Sequence, residues 1–202
     1  MNIFILDFET SGLNPYRDDI IEIGIKKYMG DQSYQTLVIP ESKELINEQI
    51  TRITNITNDE IFKNGINFES AYSNLYNFII ENSNKSVPIV YLLAHNGDAF
   101  DFIFFKKILY HLKSKKMIND NIEFRYLDTL NLSRRLLDHQ SYKMSSLCKR
   151  FHIENTEEHR ALGDVLALEQ IFNKLLFKWS NSEILNNTMT LDSMIKYINY
   201  YE

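Results

Sequence analysis

The chain has 202 residues, of which 44% are hydrophobic and 24% charged, and it carries a net charge of −5. That apolar content supports a buried core and excludes a disordered polymer, while the acid excess argues against a broad basic surface gripping many phosphates. The one cysteine, Cys148, excludes an internal disulfide and suits a reducing compartment.

The first residues run Met1-Asn2-Ile3-Phe4-Ile5-Leu6 and then meet Asp7, too early for the apolar region of a signal peptide. No apolar run approaches the ~20 residues needed to span a bilayer, so a soluble, intracellular protein is expected. Asn2 to Phe8 is apolar and β-branched, and Thr10-Ser11-Gly12-Leu13-Asn14-Pro15 supplies turn chemistry behind it. A second strand fits Asp19 to Tyr28, where Ile21, Ile23 and Ile25 alternate with Glu22 and Gly24. Gly30-Asp31 marks a hairpin, and a third strand fits Tyr34 to Ile39 before Pro40. The period-two rule places Asp7 and Glu9 on one face of the first strand, about 7 Å apart.

Helical periodicity begins near Phe68 and runs to Ile80 through Tyr72, Leu75, Tyr76 and Ile79. Ile89 to Ala94 is continuously apolar, as in a strand covered on both faces. A helix from about Phe100 to Leu112 follows, then a strand over Glu123 to Leu127 and a helix over Thr129 to Leu137. A short helix fits Met144 to Phe151 with Ser141 as its cap, and the last core helix spans Ala161 to Phe177. Ser180-Asn181-Ser182 is the expected boundary between a domain at 1–180 and an appendage at 181–202. In that appendage Leu191 to Tyr201 suits a helix, packed back or facing a partner, including a second copy in a homodimer.

Three motifs carry chemistry. Asp7-Phe8-Glu9-Thr10 puts two acids at the end of what reads as an edge strand, where inward-facing carboxylates need a cation or donor. His95-Asn96-Gly97-Asp98-Ala99-Phe100-Asp101 sits where an apolar strand hands over to a helix, the usual position of a site in an open sheet. Capping accounts for Asn96 or Asp98. Asp101, one turn into the helix, is left as the ligand, with Asp98 the alternative. In His159-Arg160-Ala161-Leu162-Gly163-Asp164, a glycine early in a helix is costly and marks close approach of another group, either the first strand or a substrate. Carboxylates without cysteines suit hard divalent cations such as Mg²⁺ or Mn²⁺. A neighbouring histidine can then take a proton from water. Arg134, Arg135, Lys143, Lys149 and Arg150 lie between the second and third motifs, placed to hold a nucleic-acid backbone. His111, His139 and His152 have no ligand-like spacing and read as structural or surface residues.

With these motifs in this order, the chain resembles the DEDDh 3′→5′ exonucleases over about residues 1 to 178, most closely the three-prime repair exonucleases. Asp128-Thr129-Leu130 and Ser141-Tyr142 add to the likeness. The resemblance implies an α/β, ribonuclease-H-like fold: a mixed five-stranded sheet, with a three-strand N-terminal meander and then β/α alternation, flanked by helices. It implies Asp7, Glu9, Asp101 and Asp164 as ligands of two Mg²⁺ ions, replaceable by Mn²⁺, and His159 as the general base. Leu13 would wedge against the terminal bases and Ile53 or Ile56 would stack near the last one. Thr10, Gly12, His95, Asn96 and Phe100 complete the expected substrate contacts. Ala99 departs from a position that is often basic in that group. The implied partner is a nucleic-acid 3′ end, DNA in the first reading and short RNA in the alternative; a non-catalytic nucleic-acid-binding subunit is the reading from another class.

Overall fold

The computed structural model describes residues 1–42, 44–118, 122–180 and 191–199. Its organising element is β1 (Asn2–Thr10), which lies in the interior of the sheet. β1 pairs antiparallel with β2 (Ile20–Lys27), and β2 antiparallel with β3 (Ser33–Ile39), forming the expected meander. On its other edge β1 runs parallel to β5 (Ile89–Ala94), which runs parallel to β6 (Glu123–Asp128). A two-residue strand, β4 (Ile66–Asn67), joins β3 through Val38–Ile66 and Ile39–Asn67, giving the order β4-β3-β2-β1-β5-β6. The sheet therefore has six strands rather than five. Two residues are too few to leave a period-two signal. The edge-strand expectation is corrected for the strand as a whole, because β5 pairs with Asn2 to Ile5, whereas at the first motif the register pairs Asp7 to Thr10 with β2.

The side-chain alternation of β1 divides the core. Phe4, Leu6 and Phe8 pack with Leu75 and Ile79 of α3 (Phe68–Glu81) and with Phe104 and Ile108 of α4 (Asp101–Ser114). Ile3 and Ile5 pack on the opposite face with Val165, Leu168 and Phe172 of α7 (Ala161–Ser180). Burial of each such side chain contributes roughly 1.5–3 kcal/mol before entropic costs. Asp7 and Glu9 continue the Ile3–Ile5 series, so the pleat delivers both acids to the face that α7 covers.

Two helices were not anticipated: α1 (Glu48–Thr54) and α2 (Asn58–Asn64), each seven residues long. Both are held by side-chain caps, Asn47 accepting from Ile50 and Thr57 from Glu60, and two turns give too little periodicity to read. α5 (Thr129–Leu136) and α6 (Met144–Phe151) fall where expected. The N-cap position of α6 is Lys143 rather than Ser141, without a side-chain capping bond. α8 (Leu191–Asn199) packs back: Leu191 and Met194 are buried in the α7-side core, and Asp192 accepts from Tyr91 Oη at 2.7 Å and Arg125 Nη1 at 2.6 Å. The expected boundary residues Asn181 and Ser182 lie outside the described residues. No helix among the described residues is long and apolar enough to cross a membrane.

Candidate active site

β1 extends beyond its pairing with β5, which in the recorded register ends at Ile5–Leu93. The edge of its last residues, beyond β5, meets the start of α4. There the Phe8 amide donates to Asp101 Oδ1 at 3.1 Å, fixing that carboxylate beside Asp7 and Glu9. Asp101 is the first residue of α4, not one turn inside it. Neither Asn96 nor Asp98 caps this helix: the cap position is Phe100, without a side-chain bond. The turn is held instead from β6, whose last residue Asp128 accepts the amides of Asn96 at 2.9 Å and Asp98 at 3.1 Å while capping α5 through Leu130.

The third motif closes the site. Asp164 lies in the first turn of α7, where Asn155 Nδ2 donates to it at 2.6 Å and the His159 amide at 3.2 Å. His159 has φ 64°, in the left-handed region that histidine tolerates better than most side chains. Gly163 is required by a close approach, though not by the first strand or a substrate. A Cβ there would lie 2.4 Å from the carbonyl oxygen of Glu157, in the loop that carries His159. The donor atoms of Glu9, His159 and Asp164 lie within 4.8 Å of one another.

Asp7, Glu9, Leu13, His95, Asn96, Phe100, Asp101, Lys143, Met144, His159 and Asp164 all line one cavity of about 360 Å³. Of the remaining expected contacts, Thr10 is buried with its hydroxyl donating to the Gly12 carbonyl at 2.6 Å, so these two shape the turn behind Leu13. Leu13 is 86% exposed at the mouth. Ile53 is exposed on α1, whereas Ile56 is fully buried with Ile21, Leu37 and Ile61 and cannot stack on a base. His95 Nε2 donates to the Tyr142 carbonyl at 2.8 Å and Nδ1 faces Thr129 Oγ1 at 3.0 Å. Burial lowers its pKa, which suits a neutral brace in the wall. Of the five cations expected near a backbone, Lys143 lines the cavity and Arg134 lines an adjoining groove. Arg150 instead donates to the Asp138 carbonyl.

The electrostatics are those of crowded, buried carboxylates. Burial, then the charges of Asp101, Glu9 and Asp164, push Asp7 well above the usual carboxylate range. Glu9 is raised to about 9 by burial and by Asp164, Glu22 and Asp101, against which only Arg160 acts. Asp101 rises to about 7 by burial, despite the hydrogen bond from Phe8. Burial raises Asp164 as well, opposed by Asn155 and the His159 amide. Oxygen donors so crowded fit hard divalent cations, and Asp7, Glu9, Asp101 and Asp164 are the residues that would hold them.

Glu22 is the acid that sequence reasoning missed. The alternation of β2 makes it look solvent-facing, yet it is fully buried, directly opposite Glu9 in the β1–β2 register. Arg160 Nη2 donates to it at 2.7 Å and the Ala161 amide at 2.9 Å. A signal was available in the continuous apolar run Ile20-Ile21-Glu22-Ile23-Gly24-Ile25, whose lone charge needs a buried partner.

Fold and acid cluster together define a nuclease-type α/β domain, and residues 4–172 match the family model described as Exonuclease (RNase_T). The chain belongs to that exonuclease family. It is 34% identical over 171 residues to the PolC-type DNA polymerase III of Thermotoga maritima, an alignment that covers 83% of this chain and 11% of that protein. The chain thus spans about a tenth of the length of that relative. Among solved structures, Escherichia coli exonuclease I in complex with a dT13 oligonucleotide superposes with a TM-score of 0.69 at 19% identity, covering 87% of this chain and 40% of that one. Exonuclease X in complex with 5′ overhanging duplex DNA superposes at 0.66 and 18% identity, covering 98% and 99%. These likenesses establish the ribonuclease-H-like exonuclease fold.

Proposed function

We propose that this domain hydrolyses the 3′-terminal phosphodiester bond of single-stranded or frayed DNA, releasing nucleoside 5′-monophosphates. The observation that carries the reading is convergence. Acids from β1, α4 and α7 and the imidazole of His159 line one cavity, although they are separated by up to 157 positions in the chain. Asp7, Glu9, Asp101 and Asp164 would hold two Mg²⁺ ions, for which Mn²⁺ can substitute. When bound, such ions lower the pKa of water and stabilise charge on the phosphoryl and leaving oxygens.

His159, half-exposed at the cavity rim, takes the proton of the attacking water. Leu13 stands at the mouth where a terminal base would rest, and Lys143 supplies a cation for the phosphate behind it. DNA is favoured over RNA by the nature of the similar proteins: a DNA polymerase, and two exonucleases solved with DNA. The test is a product ladder from 5′-labelled single-stranded DNA, 3′-recessed duplex and RNA, with Mg²⁺, with Mn²⁺ and with EDTA. Stepwise 3′ shortening of DNA, abolished by EDTA, is expected. Preferential shortening of RNA would reassign the substrate, and binding without cleavage in either metal would overturn catalysis.

A further inference from the structure

If His159 moves the proton, something must hold its ring in place, and among the described residues no hydrogen bond to the ring does so. The side chain is half-exposed, and Nε2 lies 3.9 Å from Glu158 Oε1, beyond hydrogen-bond reach. Its position is therefore set by the backbone, which turns through the left-handed region at this residue. The next two residues are anchored to the sheet. Glu22 Oε1 accepts Arg160 Nη2 at 2.7 Å and Gln35 Nε2 at 2.9 Å, and Glu22 Oε2 accepts the Ala161 amide at 2.9 Å. Arg160 Nε bridges both oxygens at 3.2 and 3.3 Å. Two residues along β2, a Cβ on Gly24 would lie 2.4 Å from the carbonyl carbon of Ala161, so strand and helix start are in direct backbone contact.

We propose that Glu22 and Arg160 are positioning residues that clamp the turn carrying His159 to β2. The proposal rests on the assignment of His159 as the base. Glu22 faces Glu9 across the register and its charge is felt there, yet both its oxygens accept from protein donors, which makes it a fixed post. The fork of an arginine is needed, because a lysine cannot engage both oxygens and hold its stem in one plane. Glu60 of α2, 3.6 Å from Arg160 Nη2 and beside solvent, is a looser neighbour that the clamp does not need.

The test uses Glu22→Gln, Arg160→Lys, their double variant and Glu60→Gln as control, each first checked for a cooperative melt. Glu22→Gln keeps shape and one acceptor, so it remains informative where Arg160→Lys fails to fold. Displacing a reacting group by an ångström is expected to lower kcat by about 10–100-fold, while KM and the Kd for Mn²⁺ by calorimetry stay within about threefold. The double variant should lose no more than the worse single one, because both act through one clamp. Glu60→Gln should behave as wild type. Hydrogen exchange at the His159 and Ala161 amides should accelerate in both single variants while β1 amides do not change.

Unchanged kcat would overturn the clamp, as would a raised KM at constant kcat, which would make Arg160 a direct phosphate contact. Multiplying losses or a loss of Mn²⁺ binding would overturn it too. If wild type itself cleaves nothing with Mg²⁺, the function is wrong and the amide exchange alone decides the clamp: unaltered exchange at 159 and 161 refutes it.

Discussion

Asp101 shows how one side chain can be structurally satisfied and still electrostatically costly. Its Oδ1 accepts the Phe8 amide, and burial nonetheless raises its pKa to about 7. Asp101→Asn keeps an acceptor for that amide and removes the charge. The variant is therefore expected to lose turnover down to assay background while its metal-free melting temperature at mildly alkaline pH equals or exceeds that of wild type. A variant that still turns over, or one that fails to fold, would contradict the role given to this carboxylate. His159 makes the complementary case. His159→Asn suits the left-handed backbone, since asparagine also tolerates it, and should lower kcat by about 10²–10⁴-fold. Calorimetric binding of Mn²⁺ should survive, which separates loss of the base from loss of the cluster.

At the scale of elements, β2 decides how firmly the third motif is seated. Gly24 lets the backbone of Ala161 approach to where a Cβ would stand at 2.4 Å. Gly24→Ala must push α7 off the sheet, at a cost of roughly 1–3 kcal/mol in unfolding free energy measured by denaturant titration. Gly30→Ala, where a Cβ would crowd the flexible end of Gln32 and meet Lys27 at an ordinary 3.5 Å, should stay within about 0.5 kcal/mol. Equal effects would mean that β2 and α7 are not in load-carrying contact. The same strand marks the limit of what the sequence tells. β1, β5, α3 and α7 are legible because their apolar periods match the faces they bury, and Asp7, Glu9, Asp101 and Asp164 stand out because they interrupt apolar patterns near element ends, whereas His159 lies in the loop before α7 and stands out by its motif alone. β2 misleads, since Glu22 mimics the polar member of a half-exposed strand although α7 covers that face. α1 and α2 escape because they are held by caps rather than by an amphipathic stripe. Ile53 and Ile56, three residues apart, cannot be told apart until the α1–α2 corner is folded, which leaves one exposed and buries the other.

Across the whole molecule, acids with raised pKa values couple folding to protons and, under the proposed function, to cations. The folded state holds protons on Glu9 up to about pH 9 and on Asp101 up to about pH 7, whereas in the unfolded chain both titrate near their ordinary values of 4.5 and 3.8. Asp7 and Asp164 shift in the same direction. Between the unfolded and folded pKa values the native state binds more protons, so the stability these groups contribute is fully present below about pH 4 and is lost as pH rises towards about 9. Cations that bind the same oxygens reverse that loss, adding about 2.7 kcal/mol when their concentration is 100 times Kd. The EDTA-treated protein is therefore expected to melt at lower temperature near pH 9 than near pH 6, with the increment from Mg²⁺ growing over the same interval. Asp101→Asn should flatten the part of this profile near neutrality, because it deletes the group that titrates at about 7. Melting curves with and without Mg²⁺ across this range measure the coupling directly. A metal increment that is constant with pH would mean that protons and cations do not compete for these carboxylates, and the cluster would not be the metal site.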